Sequence, residues 1–264
     1  MSAAAPAGGA DIAGVVLAAG RGNRLRPLTD LRPKPLCPIA NRPLLDWALD
    51  RLTPHTGTGP DHVAVNVHHL APMIVTHLDG RATVSEEQPV ALGTAGALGR
   101  LRPWLAGRPV LVTNSDAYLP EGLDELMDGW DGQRIRLLGK EIGRASDFGT
   151  RRYVGACLLP WSAVRTLDER PAGLYERLWR AAYAGGELEI VPTAGTAIDC
   201  GTPRDYLAAN LHANGGDSVV GAGAVVEGLL TRSVVWPDGY VGPDEHLVDA
   251  VRAGTRETPV TVQG

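Results

Sequence analysis

The chain has 264 residues, of which 44% are hydrophobic, and a formal net charge of −5 at pH 7. This length suffices for one large α/β domain with or without an appendage. The negative charge argues against a nucleic-acid-binding surface, and no apolar run approaches the roughly 18 to 20 residues of a membrane span. The three cysteines are far apart and lack metal-ligand spacing, which indicates buried thiols in a reducing compartment. We therefore expect a cytoplasmic protein without a nucleic-acid or membrane partner.

The first predicted element is a buried strand at 12–17, after a disordered tail at 1–11. It leads into Leu17-Ala-Ala-Gly-Arg-Gly-Asn-Arg-Leu-Arg-Pro27, and Lys34-Pro-Leu-Cys-Pro38 follows. Small residues let backbone N–H groups approach a ligand closely. Four cations crowd the same turns and favour a phosphate site, namely Arg21, Arg24, Arg26 and Lys34. A tight turn with solvated arginines is the alternative, since neither the Walker A pattern nor the dinucleotide fingerprint is present.

The rest of the first 214 residues alternates between helical and strand patterns. The predicted helices are 43–52, 70–78, 121–130 and 204–213. The predicted strands are 62–67, 82–85, 109–116, 134–138, 152–159, 187–192 and 196–200.

Three further features follow predicted strands and invite a functional reading. Gly93-Thr-Ala-Gly96 opens a helical pattern, Asp116 ends an apolar strand, and Asp199 precedes Gly201-Thr-Pro203. Each has an ordinary structural explanation: a glycine-rich helix start, a helix cap, or a turn-forming aspartate. Ligands of open parallel sheets nevertheless lie beyond the carboxyl ends of the strands, where Asp116 falls.

Taken together, these stretches resemble the signature of the sugar-phosphate nucleotidylyltransferases. That family joins a sugar 1-phosphate to a nucleoside triphosphate and releases pyrophosphate. The resemblance implies a Rossmann-like three-layer α/β domain with a mixed, mostly parallel sheet. It also implies Mg²⁺ as cofactor, with Asp116 and Asp199 as metal ligands. Asn23 stands where the family usually has Thr or Ser, and either side chain can hydrogen-bond a phosphate or brace the loop.

Further roles are carried over from the family residue by residue. Arg24 would stabilise the triphosphate and leaving pyrophosphate, Lys34 would reach a reacting phosphate, and with Asp116 they form the implied catalytic set. Two loops would hold the nucleotide through Leu17, Ala18, Ala19, Gly20, Gly22, Gln88 and Gly93. Gly155 and Arg152 are the implied sugar-binding residues.

The chain departs from the family pattern on the sugar side. It has no Glu-Lys-Pro element ahead of the strand at 152–159, and the possible substitutes are Lys140, Arg144, Arg151 and Arg152. The stretches Val65-Asn-Val-His-His-Leu70 and Gly93-Thr-Ala-Gly96 favour mannose- or heptose-1-phosphate guanylyltransferases. Uridylyl or thymidylyl transfer to a hexose or cyclitol phosphate stays open as an alternative. So does an inactive, regulatory nucleotide-binding subunit.

The last fifty residues follow a different pattern from the catalytic part. Apolar residues, mostly six apart, stand among Gly, Ala, Pro and Asp at Val220, Val226, Val235, Val241 and Leu247. This period predicts a short left-handed parallel β-helix, with an ordinary pair of hairpins as the alternative. We expect a catalytic domain at 12–214, the β-helix at 215–251 and a C-terminal tail at 252–264. About two coils need a surface to pack on, so a homodimer is possible.

Overall fold

The computed structural model describes residues 11–264, so the predicted tail at 1–11 lies outside the described residues except for Asp11. A seven-stranded sheet forms its centre, in the order β10-β8-β9-β6-β1-β4-β5. These strands are β1 (Ala13–Leu17), β4 (Val63–Val67), β5 (Thr83–Glu86), β6 (Val110–Asn114), β8 (Ile135–Ser146), β9 (Gly149–Leu159) and β10 (Leu188–Pro192). Two residue pairs form the small antiparallel hairpin β2 (Pro38–Ile39) and β3 (Arg42–Pro43).

The sheet is mixed and mostly parallel, as predicted. The strands β10 and β8 pair in parallel, and so do β6, β1, β4 and β5, whereas β9 runs antiparallel to both of its neighbours. The central strands are largely apolar, apart from Asn66, Thr113 and Asn114, because helices cover both faces of the sheet. The carboxyl ends of β1, β4 and β6 therefore meet at one edge, where the motifs are found.

Helices lie on both sides of this sheet and bury two separate apolar cores. One core contains residues of α2 (Leu44–Thr56), α3 (Ala71–Leu78) and α5 (Asp124–Met127), and the other contains residues of α4 (Gly93–Leu105), α6 (Trp161–Val164) and α7 (Arg180–Ala184). The helices α1 (Leu28–Leu31) and α8 (Pro203–Ala213) contribute to a third core. The predicted helix at 121–130 is thus only one turn long, since Gly122 and Gly129 adopt positive φ angles on either side of it. At its start, α8 is capped by Thr202, whose Oγ1 accepts from the Asp205 amide.

The hairpin of β8 and β9 is longer than the sequence pattern predicts. Polar residues from Lys140 onwards give no apolar alternation, yet Lys140 pairs with Arg152 and Glu141 with Arg151 across the two strands. A second, minimal ribbon joins β7 (Ala117–Tyr118) to β11 (Ile198–Asp199), with Asp199 opposite Ala117. This ribbon brings the two motif aspartates of the sequence side by side.

The C-terminal part contains six short strands that pair in parallel with the strand one coil ahead. They are β12 (Val219–Val220), β13 (Val225–Val226), β14 (Leu229–Thr231), β15 (Val234–Val235), β16 (Tyr240–Val241) and β17 (His246–Val248). The pairings are those of stacked coils and not of a pair of hairpins. The left-handed β-helix itself stays a prediction.

Most of the apolar residues of the six-residue repeat form one small core within the coils. Val235, Val241 and Leu247 are buried there, and Val226 packs against them. Val220 is 45% exposed, because it belongs to the first coil and no earlier coil covers it. The residues expected to form a tail, 252–264, instead contain the end of β18 (Ala250–Gly254) and all of β19 (Pro259–Gln263), which pair antiparallel.

One flank of the coils packs on the α/β part of the chain through the third apolar core. Val219, Val234 and Trp236 contribute to it from the coils, and Tyr206 contributes from α8. The Trp236 indole N–H donates to the Tyr206 hydroxyl at 3.0 Å. The coils and the α/β part therefore share a core.

Candidate active site

A cleft of about 240 Å³ opens at the carboxyl ends of β1, β4 and β6. The predicted loop residues Leu17, Ala18, Ala19 and Gly20 line it, together with Lys34 and Asp116. The Ala18 amide already donates to Asn66 Oδ1 at 2.7 Å, so it is engaged within the protein. The predicted loop residue Gly22 does not line the cleft. A Cβ at Gly22 would come 3.1 Å from the Lys34 Cβ. Gly22 thus makes room for the buried stem of Lys34.

The ammonium of Lys34 sits between the two motif aspartates. Its Nζ is 2.5 Å from Asp116 Oδ2 and 3.9 Å from Asp199 Oδ1. The Lys34 side chain is only 8% exposed, whereas those of Asp116 and Asp199 are 31% and 57% exposed. A fixed cation and two converging carboxylates thus form one cluster beside the cleft, although they are far apart in sequence.

Arg24 joins this group from the solvent side. Its guanidinium lies 3.5 Å from Asp199 Oδ2, and its side chain is 67% exposed. An exposed ion pair of this kind contributes little to stability. Arg24 is therefore available to an anionic ligand that enters the cleft.

The second predicted loop also reaches the cleft, but only in part. Gly93 and Thr94 line it where α4 begins, next to Ala91. Gly93 has φ +69°, and a Cβ there would lie 2.5 Å from the Ala172 carbonyl oxygen, so only glycine fits. Gln88 is exposed, lies outside the cleft lining, and donates to Glu86 Oε1 at 3.4 Å.

A second cavity of about 180 Å³ adjoins the first and shares Asn114 and Asp116 with it. The predicted sugar-binding residues Arg152 and Gly155 both line this cavity. Gly155 has φ +99°, and a Cβ there would lie 2.5 Å from the Ala117 Cβ. The strand β9 can therefore lie against the Asp116–Ala117 segment only because this residue is glycine. Asp116 lines both cavities and Asp199 lines the second, so the two carboxylates lie where ligands bound in the two cavities would meet.

The sequence that builds most of this site matches the model of a known family. The model of the Nucleotidyl transferase family matches residues 13–175. The chain belongs to this family. The resemblance to sugar-phosphate nucleotidylyltransferases drawn from the sequence is thereby confirmed, and the protein is a nucleotidyltransferase.

Individual relatives of this nucleotidyltransferase carry two kinds of name. An N-acetylmuramate alpha-1-phosphate uridylyltransferase of Caulobacter vibrioides is 35% identical over 231 residues, which cover 74% of this chain and 94% of the relative. A mannose-1-phosphate guanylyltransferase of Mycobacterium tuberculosis is 27% identical, covering 90% of this chain and 78% of the relative. A solved structure described as mannose-1-phosphate geranyltransferase from Thermus thermophilus has a TM-score of 0.69 at 17% identity, covering 96% of this chain and 95% of its own. That likeness shows the fold.

The carboxylates fit a magnesium ion better than a metal held by protein ligands alone. Within residues 11–264, no group of three or more His, Cys, Asp or Glu side chains could hold a metal. Magnesium, however, is commonly bound by one or two carboxylates, with water and substrate phosphate completing its shell. Asp116 and Asp199 supply such a pair, since Asp116 from the turn before β7 and Asp199 from β11 both approach Lys34 Nζ.

Three buried polar residues of the nucleotidyltransferase were missed by the sequence analysis. Asn66 and Glu87 are 3% and 0% exposed, and Arg51 is 5% exposed. Arg51 Nη1 donates to the Ala117 carbonyl oxygen at 2.6 Å, while its Nε and Nη2 have no hydrogen-bond partner among the described residues. Burial lowers the pKa of the Arg51 guanidinium to about 10. Of these three residues, only Asn66 could have been noticed in the sequence, as a polar residue near the end of an otherwise apolar strand.

The cysteines behave as the sequence predicts, since Cys37, Cys157 and Cys200 are all buried and free. Burial raises the pKa of the Cys37 and Cys157 thiols to about 12, and that of Cys200 still further. These thiols are therefore not nucleophiles near neutral pH. Within the described part of the chain, no helix is both long and apolar enough to cross a bilayer.

Proposed function

We propose that the protein transfers a nucleotidyl group from a nucleoside triphosphate to a sugar 1-phosphate, with Mg²⁺ as cofactor, and releases pyrophosphate. The observation that carries the proposal is the position of Lys34 between Asp116 and Asp199, at the junction of the two cavities. One cavity would hold the triphosphate and the other the sugar phosphate. Charge from both substrates would then meet beside the buried ammonium.

In this reaction an oxygen of the sugar 1-phosphate forms a bond to the α-phosphorus of the nucleotide. The bond from that phosphorus to the pyrophosphate oxygen breaks, and pyrophosphate takes the electron pair. The attacking oxygen is already ionised at neutral pH, so no general base is required. The difficulty is to bring two polyanions together, which cations and fixed geometry overcome.

The residues of this chain supply that geometry. Asp116 and Asp199 would hold Mg²⁺, which when bound neutralises phosphate charge. Lys34 adds a buried cation beside both carboxylates, since its Nζ lies near each of them and its side chain is 8% exposed. Arg24 reaches the site from solvent and would face the triphosphate and the departing pyrophosphate.

For the substrates, uridylyl transfer to a sugar 1-phosphate with an acidic substituent is one candidate. Its support is the 35% identity to the N-acetylmuramate alpha-1-phosphate uridylyltransferase over 94% of that relative. Arg152 lines the sugar-side cavity, and none of the ion pairs within residues 11–264 involves it. A cation of this kind can pair with a carboxylate of the sugar.

Guanylyl transfer to mannose 1-phosphate, or a heptose 1-phosphate, is the second candidate and the one favoured by the sequence motifs. The Mycobacterium tuberculosis relative supports it, because it aligns with 90% of this chain. A regulatory subunit without activity is disfavoured by the arrangement of Lys34, Asp116 and Asp199.

The test is Mg²⁺-dependent release of pyrophosphate, with UTP, GTP, ATP, CTP and dTTP crossed against N-acetylmuramate, mannose, heptose and glucose 1-phosphates. We expect turnover with one pair and its loss on chelation of Mg²⁺. Asp116→Asn should lower turnover by about 100-fold or more, while the matched change of the exposed Asp244 in the coils, Asp244→Asn, should leave it unchanged. A lack of pyrophosphate release over the whole panel, or near-normal turnover of Asp116→Asn, contradicts the proposal.

A further inference from the structure

Two buried side chains connect the loops on opposite sides of the nucleotide cleft. Asn66 lies in β4, and its Oδ1 accepts from the Ala18 amide of the first loop at 2.7 Å. Its Nδ2 donates to Glu87 Oε1 at 2.8 Å. Glu87 Oε2 in turn accepts from the Leu92 amide, one residue before Gly93, at 2.6 Å. A continuous chain of three hydrogen bonds thus joins the first loop to the second.

Glu87 is an unusual residue to bury in this place. It is 0% exposed, and no ion pair within residues 11–264 involves it. A carboxylate without a cation is expensive to bury unless hydrogen-bond donors satisfy its oxygens. Here each oxygen accepts from one donor, so the carboxylate can join the Asn66 amide and the Leu92 amide, both of which donate.

We propose that Asn66 and Glu87 are positioning residues, which fix the spacing between the two loops that hold the nucleoside triphosphate. The inference rests on the proposed function for the identity of the ligand. Ala18, Asn66, Ala91 and Gly93 all line the cleft, so a change in this chain of hydrogen bonds alters its width. Fixing a site before the ligand binds removes part of the ordering cost of binding.

The pair therefore acts on binding of the nucleotide and not on the second substrate. The sugar-side cavity is lined from β9, from the segment at Asp199 and from residues 114–117, and the hydrogen bonds of Asn66 and Glu87 touch none of these. Loss of the connection should raise KM for the nucleoside triphosphate, with kcat and KM for the sugar phosphate nearly unchanged.

The polarity of the three hydrogen bonds allows a reciprocal exchange as the test. Both backbone ends donate, so the two side chains must offer an acceptor to each end and one donor between them. Glu87→Gln alone places an N–H group against another donor at one of its two contacts. Asn66→Asp alone places two carboxylates against each other. The double variant Asn66→Asp/Glu87→Gln reverses the central bond and restores all three.

We expect each single variant to raise KM for the triphosphate by about tenfold or more, and the double variant to return it to within about threefold of wild type. Glu86→Gln is the matched control, because Glu86 is the exposed neighbour of Glu87 and takes no part in the chain. Thermal unfolding of every variant shows whether it is folded. Unchanged KM in the single variants, or a double variant as impaired as the singles, would overturn the proposal.

Two measurements keep the outcome separate from that of the proposed function. Equilibrium binding of the triphosphate without sugar phosphate reports on the loops even if no acceptor supports turnover. Hydrogen exchange of the Ala18 and Leu92 amides reports on the connection even if no nucleotide binds. We expect both amides to be protected in the wild type, at least one of them to lose protection in Glu87→Gln, and the double variant to regain it. Rapid exchange of these amides in the wild type would overturn the proposal.

Discussion

Replacing Arg51 by methionine should leave the protein about as stable as before, although it removes a fully buried side chain with a short hydrogen bond. Burial lowers the pKa of the Arg51 guanidinium from 12.5 to about 10, which corresponds to an unfavourable contribution of roughly 3 kcal/mol. Arg51→Met removes this unfavourable contribution to the free energy of folding. It also removes the bond to the Ala117 carbonyl oxygen, which costs about 1.5 to 3 kcal/mol. The two terms nearly cancel, and methionine fills most of the space.

The sign of the pH dependence follows from the same shift. At neutral pH Arg51 is charged in both the folded and the unfolded state, so the unfavourable term is fully present. The unfavourable contribution decreases only as the pH rises from 10 towards 12.5, where the folded protein and then the unfolded chain lose the Arg51 proton. The free energy of unfolding of Arg51→Met, relative to wild type, should therefore stay constant between about pH 6 and 9.

Urea unfolding followed by circular dichroism measures the stability, and pyrophosphate release measures turnover. We expect a change in the free energy of unfolding within about 1.5 kcal/mol. Turnover should fall because Ala117 loses its anchor beside Asp116 and opposite Asp199. The exposed Arg180 of α7 provides the control Arg180→Met, with both quantities unchanged. A loss of more than about 4 kcal/mol in Arg51→Met would refute the reasoning, since the guanidinium would then be strongly stabilising.

Three further changes test other parts of the molecule. Lys34→Met removes the cation between Asp116 and Asp199, so pyrophosphate release should fall by about 100-fold or more with the fold retained by circular dichroism; substantial turnover would argue against a role in the reaction. Gly155→Ala puts a Cβ 2.5 Å from the Ala117 Cβ, at a residue with a positive φ. It should lower the free energy of unfolding, measured in urea, by about 1 to 3 kcal/mol. An unchanged free energy of unfolding would mean that β9 can shift at no cost. Trp236→Ala empties a site that is 2% exposed and should destabilise the protein by about 3 to 5 kcal/mol in the same assay; a loss under about 1 kcal/mol would contradict the shared core.

Sequence motifs singled out three residues that the structure brings together, because each of them stands in a short, recognisable stretch. Lys34, Asp116 and Asp199 were predicted to act together from the order of three motifs, and the structure places them within one cluster. The order of helices and strands was predictable for a similar reason, since apolar periodicity is a local property.

The supporting residues were harder to find because their partners are chosen by tertiary contacts. Arg51 belongs to an ordinary amphipathic helix pattern, and nothing in its neighbourhood indicates that it reaches Ala117. Asn66 and Glu87 meet because β4 and β5 pair in parallel with Val67 opposite Glu86, a register that the sequence does not specify. The long hairpin of β8 and β9 was underestimated because its outer half is polar on both strands.

The third apolar core joins parts of the chain that differ in purpose. It contains Leu25, next to Arg24, and Cys200, next to Asp199, as well as Val234 and Trp236 from the coils. A substitution in the coils therefore reaches, through this core, the neighbours of Arg24 and Asp199. An exchange of coils between relatives should require compensating changes around Leu25 and Cys200.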